Sequence, residues 1–187
     1  MKYSYALSNP LSVFLNKEKA DFNKEDLLKV IEEKQIERIT FHYTALDGQL
    51  KELKIPVVNR QQADMILSGG ERVDGSSLFK GLVDASVSDL YVVPVYKTAF
   101  INPFDSCSLN IICRYMDQHG NLAPFALDNI LHKASESFKQ KHSLELYALG
   151  ELEFFLLGDK SSNLFPSKRQ AHYHATAPFF KSGIILN

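Results

Sequence analysis

Apolar and polar positions along this chain follow two distinct periods. Ile39, Phe41 and Tyr43 alternate with polar neighbours, Asp47-Gly48 interrupts, and an apolar-polar run resumes over 50–55. A period of two is that of a strand with one buried face, and Asp-Gly between two such runs predicts a hairpin. Residues 90–95 and 109–116 predict further strands, the second ending at the turn Asp117-Gln118-His119-Gly120. Asn23 followed by Asp26 predicts an N-cap with an acidic third position, opening a helix through Leu27, Val30 and Ile31. A short helix is expected over 61–67, stopped by Gly69-Gly70. Leu127, Ile130, Leu131, Ala134 and Phe138 fall at i, i+3, i+4, i+7 and i+11, which predicts an amphipathic helix over 127–141.

These elements divide the chain into three parts. Residues 1–22 are weakly patterned and are expected to form an arm or extra element. Residues 23–123 form a domain whose 37–120 portion is a mixed sheet with little helix. A boundary near Ala123-Pro124 opens a third part, 124–187, with one helix and too few strands to complete a domain. Composition narrows the class. The chain has 187 residues, 45% hydrophobic and 23% charged, as in an ordinary globular protein. A net charge of -1 with no Lys/Arg cluster gives no footprint for nucleic acid or a membrane surface. Cys107 and Cys113 are the only cysteines and lack metal-site spacing, so two reduced thiols are expected and the compartment is cytoplasmic by default. Nothing approaches membrane-spanning length.

The chemistry concentrates in Gly150-Glu151-Leu152-Glu153-Phe154-Phe155-Leu156-Leu157. On a strand, Glu151 and Glu153 share a face, and two neighbouring carboxylates in an apolar run favour a compensating cation such as Mg²⁺ or Mn²⁺. The alternative is a half-exposed strand with a solvated acidic edge. Upstream stand Arg72-Val73-Asp74-Gly75-Ser76-Ser77-Leu78 and Ser88-Asp89-Leu90-Tyr91-Val92-Val93-Pro94. Read alone, Asp74 is a turn residue whose neighbouring serines make local bonds. His172 and His174 share a strand face, yet no third ligand accompanies them. His42, His119, His132 and His142 carry no pattern and read as surface or sheet residues.

Together and in order, these segments resemble the glutamine synthetase family: the early Asp47-Gly48 turn, Asp74-Gly75-Ser76-Ser77, Ser88-Asp89 and Glu151-Leu152-Glu153. The resemblance runs from about Leu27 onward. It implies an α+β fold, with a β-grasp-like amino-terminal domain followed by the first helix and strands of a truncated catalytic domain. The implied reaction is ATP-dependent ligation of ammonia to glutamate through γ-glutamyl phosphate. Glu151 and Glu153 match the family's first pair of metal-binding glutamates, for Mg²⁺ or Mn²⁺. Asp74 matches the aspartate that binds ammonium and takes its proton across a subunit boundary. Ser77 matches the second serine, and Asp89 an acidic residue at the same edge. Tyr173, ahead of Pro178, resembles a tyrosine that lines the ammonium pocket.

Two departures stand out. Gly150 directly precedes Glu151 where the family usually has Pro or Ala, and one extra residue separates Asp74 from Asp89. The implied partners are glutamate, ammonium, ATP and, for the complete protein, further copies in a ring. The family's ATP loops and glutamate-binding arginines fall after Asn187, so the chain is expected to be an amino-terminal fragment, inactive alone. Two alternatives remain open: a non-catalytic truncated paralogue that assembles with a full-length synthetase, and a γ-glutamyl ligase that uses an organic amine.

Overall fold

A computed structural model describes residues 9–84, 88–151 and 153. The chain divides into two units, 1–145 and 146–187. The first contains every regular element among the described residues.

Three helices begin unit one's helical layer. Helix α1 is Pro10–Leu15, α2 is Lys24–Glu33 and α3 is Arg60–Gly69. The capping box foreseen for α2 is complete. Asn23 Oδ1 accepts from the Asp26 amide at 3.0 Å, and Asp26 Oδ2 accepts from the Asn23 amide at 2.8 Å. Helix α2 buries Leu27, Leu28, Val30 and Ile31, and α3 buries Ala63, Ile66 and Leu67. Arg60 ties the two helices together through Glu32 at 2.6 Å and Glu25 at 3.2 Å. Helix α3 stops at Gly70, whose φ of 71° and ψ of −160° suit glycine alone. The expected arm is helical where it is described. Asn9 caps α1, Leu11 is buried, and Asn9 Nδ2 donates to the Ala99 carbonyl at 3.2 Å.

Strands β1 (Arg38–Thr44) and β2 (Leu50–Pro56) make the expected hairpin. The sheet is completed by β3 (Glu71–Asp74), β4 (Asp89–Pro94), β5 (Phe100–Asn102) and β6 (Asp105–Asp117), in the order β2-β1-β6-β4-β3 with β5 also on β6. Strand β6 is the longest and serves as the spine. Its first half runs parallel to β1, from Arg38↔Ser108 to His42↔Ile112, and its second half pairs antiparallel with β4. Between β3 and β4 lies a one-turn helix, α4 (Gly75–Leu78).

One face of the sheet carries Ile39, Phe41, Leu109 and Ile111, each fully buried in one core with α2 and α3. Each such side chain contributes roughly 1.5–3 kcal/mol by leaving water. The opposite face holds a buried polar ladder. Thr40 Oγ1 and Ser108 Oγ lie 2.8 Å apart, and His42 Nε2 lies 2.6 Å from Asn110 Oδ1. Asn110 Nδ2 donates to Ser108, so Oδ1 is the acceptor and His42 carries its proton on Nε2. Phe100 stacks over the imidazole. His42 is therefore a structural residue of the sheet interior, its Nε2 paired and its ring covered.

Helix α5 (Leu127–His142) matches the predicted amphipathic span, yet its burial is inverted. Asn129 is 5% exposed and donates through Nδ2 to the carbonyls of Tyr115 and Ala123, both at 2.9 Å. Leu131 is 68% exposed, with Ile130 and Phe138 also open to solvent. Asp128 lies in the same contact, its Oδ2 3.5 Å from Arg114 Nε. In the second unit, 146–151 and Glu153 are exposed and belong to no regular element, except that Leu152 is outside the description. The strand expected after Gly150 falls mostly outside the described residues. No helix among the described residues is long and apolar enough to cross a membrane.

Candidate functional site

The β3–β4 pair sets Asp74 directly opposite Asp89. Residues on one strand face recur every second position, so Arg72 leaves β3 on the same side as Asp74. Chain direction then changes abruptly. Asp74 is the N-cap of α4, its Oδ1 accepting from the Ser76 amide at 3.0 Å and the Ser76 hydroxyl at 2.7 Å. Its Oδ2 accepts from the Ser77 hydroxyl. Gly75 is required by close approach: its amide donates to the Ser88 carbonyl at 2.7 Å, and a Cβ would sit 2.8 Å from that oxygen. Phe79 anchors the turn from below. It is fully buried, with edge-on contacts to Tyr115 and Phe125 at 5.0 and 4.9 Å. The β1–β2 hairpin braces it from the side, the Leu46 amide donating to the Leu78 carbonyl at 3.2 Å.

Charge at this edge is organised by donors. The hydroxyls of Ser77 and then Ser76 hold the Asp74 carboxyl below the usual aspartate range. Arg72 Nη1 lies 3.2 Å from Asp89 Oδ2, which offsets the repulsion expected of like charges directly opposite on paired strands. Ser77 spends its one proton on Asp74, so its oxygen keeps lone pairs for another donor. Asp74, Ser77 and Asp89 are all exposed. The local serine bonds of a plain Asp-Gly turn are thus present. They also leave an ionised, acceptor-rich edge of the kind that can hold a small cationic donor. Arg72 has no role in the sequence reading beyond membership of its motif. Its two-residue spacing from Asp74 is the signal that marks it.

The other candidates fall elsewhere. Tyr173, His172 and His174 lie outside the described residues. Glu151 and Glu153 are described and exposed, in the second unit. Their carboxylates are the hard-oxygen donors that Mg²⁺ or Mn²⁺ prefers, and they supply two of about six ligands such an ion takes. Among the described residues no group of three or more His, Cys, Asp or Glu is arranged around a common metal position. The fit is one of donor chemistry for part of a coordination shell. Cys113 is buried, which pushes its thiol well up, and Cys107 is half-buried; both are free thiols.

Residues 35–118 match the family model of the glutamine synthetase β-grasp domain. The glutamine synthetase of Staphylococcus aureus strain Mu50 is 33% identical over 86 residues, covering 46% of this chain and 18% of that protein. That of Staphylococcus epidermidis strain RP62A is 31% identical over the same length and shares. The matched region therefore spans less than a fifth of these curated relatives. Among solved structures, ligand-free GmaS superposes with a TM-score of 0.55 at 16% identity, over 62% of this chain and 26% of that one. Plasmodium falciparum glutamine synthetase gives 0.54 at 23% identity, over 64% and 23%. At those identities the likeness is one of fold, and it agrees with an α+β chain built on a β-grasp domain.

Proposed function

Residues 35–118 of this chain are a β-grasp domain of the glutamine synthetase family, and from that premise we propose that the chain is the amino-terminal portion of an ATP-dependent ligase that joins ammonia to glutamate. Asp74, Ser77 and Asp89 form its ammonium-binding edge. The observation that carries this reading is the β3–β4 register, in which Asp74 opposes Asp89 while Ser77 donates to Asp74. Ammonium becomes a nucleophile only when it gives up a proton, and an ionised, acceptor-only carboxylate is the group suited to take it. Ser77 Oγ accepts a second ammonium N–H, and Asp89 adds negative charge beside it.

Glu151 and Glu153 would hold a Mg²⁺ or Mn²⁺ ion together with ligands from elsewhere. Such an ion, when bound, neutralises phosphate charge during phosphoryl transfer. In this reading the β-grasp domain of one copy presents its edge to the catalytic surface of another, in a closed ring of head-to-tail contacts. The test is made on the complete ligase that carries this domain. Asp74→Asn should leave the ring size on a sizing column unchanged and lower ammonium-dependent glutamine formation by about 100-fold or more, the typical contribution of a positioned general base. Full turnover in Asp74→Asn would return Asp74 to the role of a turn residue. An enzyme inactive with ammonium but active with methylamine would make the amine, and not ammonia, the substrate.

A further inference from the structure

Two facing carboxylates on adjacent strands are a pair of hard oxygen donors, and a ligase that uses ATP works in the presence of Mg²⁺. Such an edge needs a reason to take a monovalent ammonium instead. Arg72 supplies one. It stands two residues before Asp74 on β3, opposite Tyr91, and reaches diagonally across the pair to Asp89, Nη1 to Oδ2 at 3.2 Å.

We propose that Arg72 is a specificity-determining residue: it leaves the Asp74–Asp89 edge with one net negative charge, which selects an ammonium or protonated amine over a divalent metal ion. This rests on the amine-binding reading of the edge and adds to it the means by which metal is kept out. With the guanidinium about 6 Å from a bound cation in a water-like dielectric, Coulomb's law weakens a dication about tenfold and a monocation about threefold. The serines act in the same direction. Ser76 occupies Asp74 Oδ1 twice and Ser77 occupies Oδ2, so a chelating ion would have to displace those bonds to gather its oxygens. An ammonium ion instead needs only separate hydrogen-bond acceptors, and Asp74 Oδ2, Ser77 Oγ and the Asp89 carboxylate keep lone pairs for it without loss of the serine bonds.

Arg72 is 65% exposed and Asp89 50%, so the pair contributes little to stability and can be altered without unfolding the domain. The experiment uses the ¹⁵N-labelled 187-residue chain at low ionic strength and follows paramagnetic broadening of the Gly75, Ser76 and Ser77 amides as Mn²⁺ is added. Arg72→Gln should reach half-broadening at about one-tenth the Mn²⁺ that the parent chain needs, and Arg72→Lys should behave like the parent. In the same variants, ammonium-induced shifts of these amides should saturate at about one-third the concentration in Arg72→Gln. Equal Mn²⁺ response in parent and Arg72→Gln overturns the proposal. So does an Arg72→Lys chain that broadens like Arg72→Gln, because charge would then not be the selecting property. Failure of the amine-binding reading shows separately, as full turnover in the Asp74→Asn ligase, and does not alter what Mn²⁺ does here.

Discussion

Gly70 passes the carbonyl of Val92 with no room for a side chain: a Cβ at Gly70 would lie 2.2 Å from that oxygen. The contact sits where α3 ends and β3 begins, so it fixes how the edge strand bearing Asp74 meets β4. Alanine at this position suffers both the collision and a φ of 71°. Gly70→Ala should lower the unfolding free energy by about 2–4 kcal/mol, read from urea denaturation. Gly48, also at positive φ but with open space around it, is the control, and Gly48→Ala should lower it by only about 1 kcal/mol. Equal losses at both positions would mean that Val92 is not the obstacle.

The titration of Asp74 offers a second check. Its carboxyl is held down first by the Ser77 hydroxyl and then by Ser76. A depressed carboxyl stabilises the fold above the ordinary aspartate value of about 3.9 and loses that contribution as pH falls through its own lower value. Ser77→Ala should therefore move the Asp74 midpoint upward in a ¹³C-carboxyl NMR titration and bring the loss of α4 to higher pH. A midpoint unmoved by Ser77→Ala would remove Ser77 from the site.

Asp128 behaves in the opposite sense. Burial pushes its carboxyl up, and the Asn129 amide and then Arg114 offset this only in part. A raised carboxyl favours the fold below the ordinary aspartate value, and that contribution is lost as pH rises through its elevated value. The upward direction persists with Arg114 beside it, so desolvation outweighs the ion pair. Asp128→Asn should then raise stability at pH 7, read from urea denaturation, with the gain shrinking as pH falls toward the ordinary aspartate range. A variant less stable than the parent at pH 7 would show the Arg114 pair to be the larger effect.

What the sequence discloses and what it hides follow from element length. The hairpin at 39–43 and 50–55, the capped helix after Asn23 and the helix at 127–141 each repeat their period several times, and each forms as expected. Strand β3 and helix α4 have four residues apiece, too few for any period to register. The Asp74 site is built on those two elements, so its geometry was invisible although its motif was not. Pattern also misjudges faces. Thr40, His42, Ser108 and Asn110 occupy the positions a one-sided sheet leaves wet, yet cross-strand bonding and Phe100 close them off. Helix α5 inverts the rule again, because Asn129 satisfies two backbone carbonyls that an apolar side chain could not.

Strand β6 also dictates when this domain can exist during its own synthesis. The hairpin of β1 and β2 closes as soon as it is made, since its partners are neighbours in sequence. The other edge of β1 must wait, because Thr40 finds its ladder position only at Asn110 and Phe41 only at Ile111. Strand β4 waits as well, with Leu90 paired to Asp117 at the far end of β6. Until that last strand has left the ribosome, the apolar faces of β1, α2 and α3 have no common floor to close upon and stay exposed, the condition that makes an incomplete chain prone to aggregate. A chain ending at Ile112 would keep the half of the floor that pairs with β1 and lose every residue of β6 that pairs with β4, so the β3–β4 edge would have no strand to join.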